Sequence, residues 1–184
     1  FQLTQGVFVA SASDANFTVG GDFNISNTGT FTHDVDWDNY GKLISLSGNV
    51  NIDGIFQYLS RSHVQLNASG SANVRTGSNP SSAFGILTAK TGNYFASGPV
   101  RIDDNFWGMF GTTGSFHTNG NDVYANSTFL NAGGTVYVDG GSLNVTGGAL
   151  IGYTANGGMN ISSGTVNVDY FTIGNGTNSG TISH

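Results

Sequence analysis

The chain has 184 residues, including 29 Gly, 2 Pro and no Cys, and charged residues make up only 9% of it. This length suits one domain with a continuous core, and a net charge of −6 with 5 Lys and Arg residues argues against nucleic-acid binding. No apolar run approaches the roughly 18 residues that a membrane-spanning helix needs, and the lack of cysteine excludes disulfides and thiolate metal sites.

The composition also predicts an all-β chain. All 11 acidic residues are Asp, and the strong helix formers Glu, Lys, Arg, Met and Gln are absent or scarce. Val, Ile, Thr, Phe and Tyr, which favour strands, are common instead. Disorder is excluded because 38% of the residues are hydrophobic, among them 13 Phe and 7 Tyr, and they recur in alternating runs.

The first half of the chain contains short alternating segments separated by Gly, Asn and Ser. Two segments break this pattern, 33–41 and 76–83, and the second contains Pro80, which cannot donate to a strand ladder. We predict that both are protruding loops. The predicted strands of this half are 16–19, 22–25, 29–32, 42–46, 50–52, 55–58 and 64–66.

The second half repeats itself, most regularly over residues 114–184. Gly134, Gly158 and Gly180 each begin a similar strand, and two further strands recur between them at a similar spacing. Three short strands per unit of about 22 residues are typical of one coil of a parallel β-helix. We therefore predict a single β-solenoid domain over residues 1–184, with seven to nine coils.

The alternation within these repeats predicts which side chains enter the core. Val136 and Val138 should stack on Met159 and Ile161. Leu143 and Val145 should stack on Val166 and Val168 in the same way. Asn144 and Asn167 should then point outward.

A candidate calcium site lies in the first predicted loop. Asp34, Asp36 and Asp38 alternate in the sequence, so in an extended strand their carboxylates would share one face, as a calcium ion requires. The segment lacks the glycine and the distal Glu of an EF-hand, and no calcium-binding nonapeptide is iterated. We predict no cofactor other than this candidate calcium ion.

Aromatic residues beside carboxylates define candidate carbohydrate contacts. Trp37 and Tyr40 belong to the same loop, and Trp107 follows Asp103 and Asp104. An aromatic ring packs well against a sugar, although packing of the Trp side chains within a loop is the simpler interpretation. Neighbouring residues of one strand point to opposite faces, so Asp103 and Asp104 cannot both line a catalytic groove. We predict no enzymatic activity.

The histidines and the asparagines complete the candidate sites. His33, His63, His117 and His184 are far apart in sequence, with no zinc or triad spacing, and we expect them at the surface. Seven Asn-x-Ser/Thr sequons are possible glycosylation sites. They are Asn16, Asn24, Asn67, Asn126, Asn144, Asn160 and Asn175.

Two stretches resemble repeats of bacterial surface and autotransporter-type β-helix proteins. They are 17–31, with its Gly20-Gly21 turn and Asn27-Thr-Gly, and 114–123. The resemblance implies a right-handed β-helix exported to the cell surface as an adhesin, a surface-layer component or a fibre subunit. A chain that starts at Phe1 rather than Met is also expected to have lost a leader, which favours secretion.

Both ends of the predicted solenoid invite a partner, because neither shows a capping helix. The candidate assembly residues are Phe1, Leu3, Val7, Val9 and Ile182. We expect an extracellular structural protein whose copies join end to end into a filament. The alternatives are a monomeric adhesin or carbohydrate-binding module, with surface polysaccharide as its partner, and a polysaccharide-degrading enzyme.

Overall fold

The computed structural model describes residues 1–11, 16–34, 43–59, 62–110 and 114–184, and this part of the chain contains strands and no helix. The named strands pair with one another in parallel. The strands are β1 (Gln2–Ser11), β2 (Phe17–Val19), β3 (Phe23–Asp34), β4 (Ile44–Leu46), β5 (Val50–Ile52), β6 (Ile55–Leu59), β7 (His63–Arg75), β8 (Ile86–Ala96), β9 (Val100–Ile102), β10 (Phe106–Phe110), β11 (Gly114–His117), β12 (Asp122–Ala125), β13 (Phe129–Ala132), β14 (Thr135–Val138), β15 (Ser142–Val145), β16 (Gly148–Ile151), β17 (Gly157–Ile161), β18 (Thr165–Asn167), β19 (Tyr170–Ile173) and β20 (Gly180–Ser183).

These strands stack as a β-solenoid of about 7 turns, with successive turns about 23 residues apart. The predicted all-β solenoid is therefore confirmed, and the count of turns lies at the lower end of the expected range. The handedness stays a prediction.

The solenoid has three faces. The first face stacks β2, β4, the start of β7, the start of β8, β10, β13, β16 and β19. The second face stacks the start of β1, the start of β3, β5, the ends of β7 and β8, β11, β14, β17 and β20. The third face includes the remainder of β1 and β3, then β6, and later the small sheet β9-β12-β15-β18.

The core lies between the three faces of the solenoid and is filled by the inward-pointing side chains of every turn. Phe31, Phe56 and Phe84 are fully buried, and their rings follow one another at centroid distances of 5.3 and 5.1 Å. Alternating side chains of a strand point to opposite faces, so one row enters this core and the other reaches solvent. Burial of such aromatic rings stabilises the stack, at roughly 25 cal/mol for each Å² of apolar surface.

The predicted core register of the second half is confirmed. Val136 pairs with Met159, and Val138 pairs with Ile161. Leu143 pairs with Val166. Val145 is buried in the core and Val168 packs against it. The side chains of Asn144 and Asn167 do point outward, and the Asn167 amide Nδ2 donates to Asn144 Oδ1 at 2.7 Å.

The predicted loop at 76–83 is irregular, but both its ends are anchored. Thr76 and Ser82 are buried. The backbone N–H of Phe56 donates to the Ser82 hydroxyl oxygen at 3.0 Å, and Thr76 Oγ1 donates to the carbonyl of Pro99 at 3.1 Å. The loop that we predicted at 33–41 lies outside the described residues beyond the end of β3.

The surface position predicted for two histidines is wrong. The His33 side chain is only 1% exposed, and His63 is also buried. His33 Nδ1 lies 2.6 Å from Ser62 Oγ, and His63 Nε2 lies 2.7 Å from Thr88 Oγ1. Each hydroxyl comes from the next turn, so the imidazoles keep a hydrogen-bond partner while leaving water.

Candidate functional site

The first turn leaves an open edge and exposed apolar residues at one end of the solenoid. Among the described strands, β1 pairs only with β3. Phe8 stacks on the buried Phe31 with the centroids 5.3 Å apart, yet 36% of Phe8 is exposed because no described turn covers it. Val7, next to it in β1, alternates to the outer surface and is 69% exposed.

The last turn leaves a matching surface at the other end. Phe171 pairs with the buried Ala149, and Ile173 pairs with the buried Ile151, so both occupy core-facing positions of the first face. They are nevertheless 42% and 54% exposed, because no described turn lies beyond them. β18, β19 and β20 are the last strands of the three faces, and each leaves one edge without a described strand partner. Unpaired strand edges of this kind accept further strands.

The predicted assembly residues all lie at these two ends, with different roles. Phe1 and Leu3 pack on the rim of the core, and Ile182 is half-buried on the last strand of the second face. Val7 and Val9 are exposed on the outer surface of β1. The core-facing Phe8, Phe171 and Ile173 were missed, although the alternation of β1 and the repeat spacing of the second half could have identified them.

A stack of aromatic rings runs along the outside of the second face, which we call the aromatic column: Phe95, His117 and Tyr137. The His117 ring lies 4.6 Å from Phe95 and 4.4 Å from Tyr137, with interplanar angles of 19° and 4°. The three residues occupy the same register position in β8, β11 and β14. Sequence reasoning found none of this, because the three residues belong to successive turns and lie far apart along the chain.

The imidazole of this column links a hydroxyl and a carboxylate. His117 Nδ1 lies 2.7 Å from Asp139 Oδ2, and His117 Nε2 lies 3.0 Å from Ser115 Oγ. Partial burial raises the pKa of Asp139, but hydrogen bonds from His117 and from the backbone N–H of Asn119 outweigh it, so the pKa lies below its usual value. This carboxylate is therefore held in its charged form.

The order of these contacts is that of a Ser-His-Asp triad, which we had not predicted. A nucleophilic serine needs access to its substrate and free N–H groups for the oxyanion. Ser115 is only 8% exposed, and its hydroxyl donates to Asn93 Oδ1 at 2.9 Å. The backbone of β11 is paired on both sides, with β8 and with β14. We interpret the cluster as a set of hydrogen bonds that stabilises the contact between successive turns.

The predicted calcium ligands cannot be placed. Asp34 ends β3, but its side chain, Asp36 and Asp38 lie outside the described residues. Within the described part of the chain, no group of three or more His, Asp or Glu residues is arranged to hold a metal ion. Calcium binding therefore stays a prediction from the sequence.

Only one of the predicted carbohydrate contacts is described. Trp107 is half-buried in β10, and its ring meets His63 edge-on with the centroids 5.3 Å apart. Trp107 therefore packs against the fold on one side and stays partly exposed, and carbohydrate binding there stays a prediction. Trp37 and Tyr40 lie outside the described residues.

The seven sequon asparagines all lie at exposed or partly exposed positions. In four of them the amide nitrogen that a glycan would modify already donates a hydrogen bond to a neighbouring side chain. The acceptors are Ser45 for Asn67, Asp103 for Asn126, Ser142 for Asn144 and Ser183 for Asn160. Their glycosylation stays a prediction.

The comparisons with known proteins give no relative. No protein family matches the chain, and neither the curated proteins nor the solved structures contain a significant match. Among the described residues no helix is long and apolar enough to cross a membrane. The class of protein that the structure defines is the β-solenoid, and its function has to be argued from its own surfaces.

Proposed function

We propose that this protein is an extracellular structural subunit whose copies join end to end through the two open ends of the solenoid. The observation that carries the proposal is the pair of exposed core cross-sections, with Phe8 at one end and Phe171 and Ile173 at the other. Stacking one on the other would bury apolar surface on both copies. It would also satisfy the unpaired edges by strand addition.

The order of the faces supports a second copy as the partner. At the last turn, the open edges belong to β20 on the second face, β18 on the third face and β19 on the first face. At the first turn, the start of β1, the rest of β1 and β2 occupy the same faces in the same order. A following copy could therefore continue the parallel stack on every face.

Such a contact joins two different surfaces, and so does not close. A heterologous contact that does not close on itself grows into a fibre. Fibres with an axial repeat of roughly 35 Å are expected, from about 7 turns at about 4.8 Å each.

Electron microscopy of the purified chain, combined with lysine substitutions at the two ends, tests this proposal. Phe8→Lys or Ile173→Lys would place an ammonium group in the buried contact, which costs several kcal/mol. Every head-to-tail contact contains one surface of each kind, so either single variant should abolish fibres, and so should the double variant. Circular dichroism should show that each variant keeps its strands.

Gln57→Lys is the control, because it introduces the same ammonium group at an exposed outward position of β6, away from both ends. It should leave fibre length unchanged. If the unmodified chain stays monomeric at high concentration, end-to-end assembly is wrong, and a monomeric adhesin becomes the better interpretation. Grids prepared with a calcium chelator test whether the predicted ligands Asp34, Asp36 and Asp38 contribute to assembly.

A further inference from the structure

A groove of about 460 Å³ opens on the outside of the second face, across β14, β17 and β20. Two outward columns of side chains form its walls. In one column Thr135, Gly158 and Thr181 are neighbours, and in the other Tyr137, Asn160 and Ser183 are neighbours. Gly158 has no side chain, so a gap separates Thr135 from Thr181 in the first column. This gap forms the centre of the groove.

The aromatic column ends at this groove. Tyr137 stacks on His117 with one ring face at a centroid distance of 4.4 Å, and the next residues of its row are the smaller Asn160 and Ser183. The ring is half-buried and lines the groove. Its orientation is held by the stack behind it, because His117 is itself tied to Asp139 and Ser115.

The described residues that line the groove carry no charge. They provide hydroxyl groups from Thr135, Thr181 and Ser183 and an amide from Asn160, and each of these groups can both donate and accept hydrogen bonds. The chain as a whole is acidic, with a net charge of −6. An uncharged ligand rich in hydroxyl groups fits this surface better than an anion.

We propose that this groove binds a neutral oligosaccharide. The edge and face of Tyr137 would pack against the C–H groups of a sugar ring, and the Thr, Ser and Asn side chains would exchange hydrogen bonds with its hydroxyls. The groove crosses three turns and has the volume of a small-molecule site. A short segment of a neutral glycan chain, lying across the turns, is the expected ligand.

The groove opens sideways from the second face, and of its three strands only β20 also belongs to an assembly surface. In the unassembled chain β14, β17 and β20 already form the groove, so binding can be tested apart from assembly. The assembly-deficient Phe8→Lys/Ile173→Lys variant should therefore bind the same oligosaccharide equally well. If the variant binds the oligosaccharide but does not assemble, the binding proposal still holds.

Calorimetric titration with cellotetraose, maltotetraose and galactotetraose tests the proposal, with tetragalacturonate as a charged probe. At least one neutral tetrasaccharide should bind with a Kd on the order of 1 mM or tighter. Gly158→Thr should weaken binding at least about tenfold, because its side chain fills the gap between Thr135 and Thr181. The three atoms nearest to an added Cβ belong to the Thr135 side chain, at 3.3 Å or more, so the melting temperature of this variant is measured beside its affinity to show that it is folded.

Substitutions at the ring provide the second comparison. Tyr137→Phe should retain most of the affinity, whereas Tyr137→Ala should lose it. Tyr124→Ala is the matched control, because Tyr124 lines a separate cavity of about 480 Å³ on the third face, and it should bind as the unmodified chain does. Failure of all three neutral probes, a preference for tetragalacturonate, or unchanged binding by Gly158→Thr would each overturn the proposal.

Discussion

The buried histidines make the stability of this protein sensitive to pH. Burial lowers the pKa of His33 from 6.5 to about 4, and burial together with the nearby His33 lowers the pKa of His63 to about 4. Both imidazoles are therefore neutral in the folded state above this pH. Their neighbours include the Ser62 and Thr88 hydroxyls and the Trp107 ring, none of which carries a negative charge that could compensate a protonated imidazole.

We expect the free energy of unfolding to fall as the pH drops from 6.5 to 4. In this window the unfolded chain binds protons that the folded chain does not, so stability rises with pH and is lost on acidification. Each histidine should contribute on the order of 3 kcal/mol across the window. Urea titrations at pH 7, 5.5 and 4 measure the effect.

Two variants identify the groups responsible. A double variant, His33→Gln and His63→Gln, keeps a hydrogen-bonding side chain at both sites but cannot titrate, so its pH dependence should be much weaker. His184→Gln removes an exposed histidine and should change nothing. An unaltered slope in the double variant would contradict this explanation.

At the scale of single elements, the tight corners depend on glycine where neighbouring turns approach each other closely. Gly54 lies between β5 and β6, and a Cβ added there would overlap the backbone carbonyl oxygens of Ser26 and Gly29 in the preceding turn. These are main-chain atoms of paired strands, so they cannot move aside cheaply. Gly70, within β7, has nothing within 4 Å of the corresponding position.

Gly54→Ala should therefore destabilise the fold by at least about 2 kcal/mol. Gly70→Ala is the matched control and should lie within about 0.5 kcal/mol of the unmodified chain, or slightly above it because alanine restricts the unfolded state. Chemical denaturation of the three proteins measures both changes. Equal stabilities would mean that the corner at Gly54 can relax.

Some features of these strands were predictable from the sequence and others were not. The repeat of strands at β14, β17 and β20 and the inward row of Val136, Met159 and Ile182 were predictable, because alternation and glycine turns are local signals. The bends within β7 and β8 were not predicted, because each strand continues from the first face to the second and only a glycine, Gly70 or Gly92, marks the corner.

At the scale of the whole molecule, the two ends should differ in what they bind. If the contact is heterologous, Phe8→Lys blocks only the first-turn end and Ile173→Lys blocks only the last-turn end. An equimolar mixture of the two single variants should therefore form dimers through the two intact ends and grow no further. Analytical ultracentrifugation of the mixture and of each variant alone measures this.

A contact between identical ends would give another result. Each single variant would then dimerise by itself through its intact end, and mixing would add nothing. That outcome would contradict the head-to-tail arrangement while leaving the solenoid itself unaffected.

The sequence by itself determined the all-β class, the stack of parallel turns and the core-facing rows of the second half. These follow from composition and from a two-residue alternation, both of which are properties of short stretches of chain. The exposed apolar ends were also predictable in part, through Phe1, Leu3, Val7, Val9 and Ile182.

Only the tertiary structure decided which outward side chains meet. Asn24 pairs with Asn51, whereas Val123 pairs with Leu143, so the spacing between successive turns is longer near the start of the chain than in its second half. This spacing depends on the summed lengths of three irregular corners, and a slip by a single position moves a side chain to the other side of the sheet. The burial of His33, the Ser115–His117–Asp139 cluster and the groove beside Tyr137 depend on that register, and for this physical reason they emerged only from the folded chain.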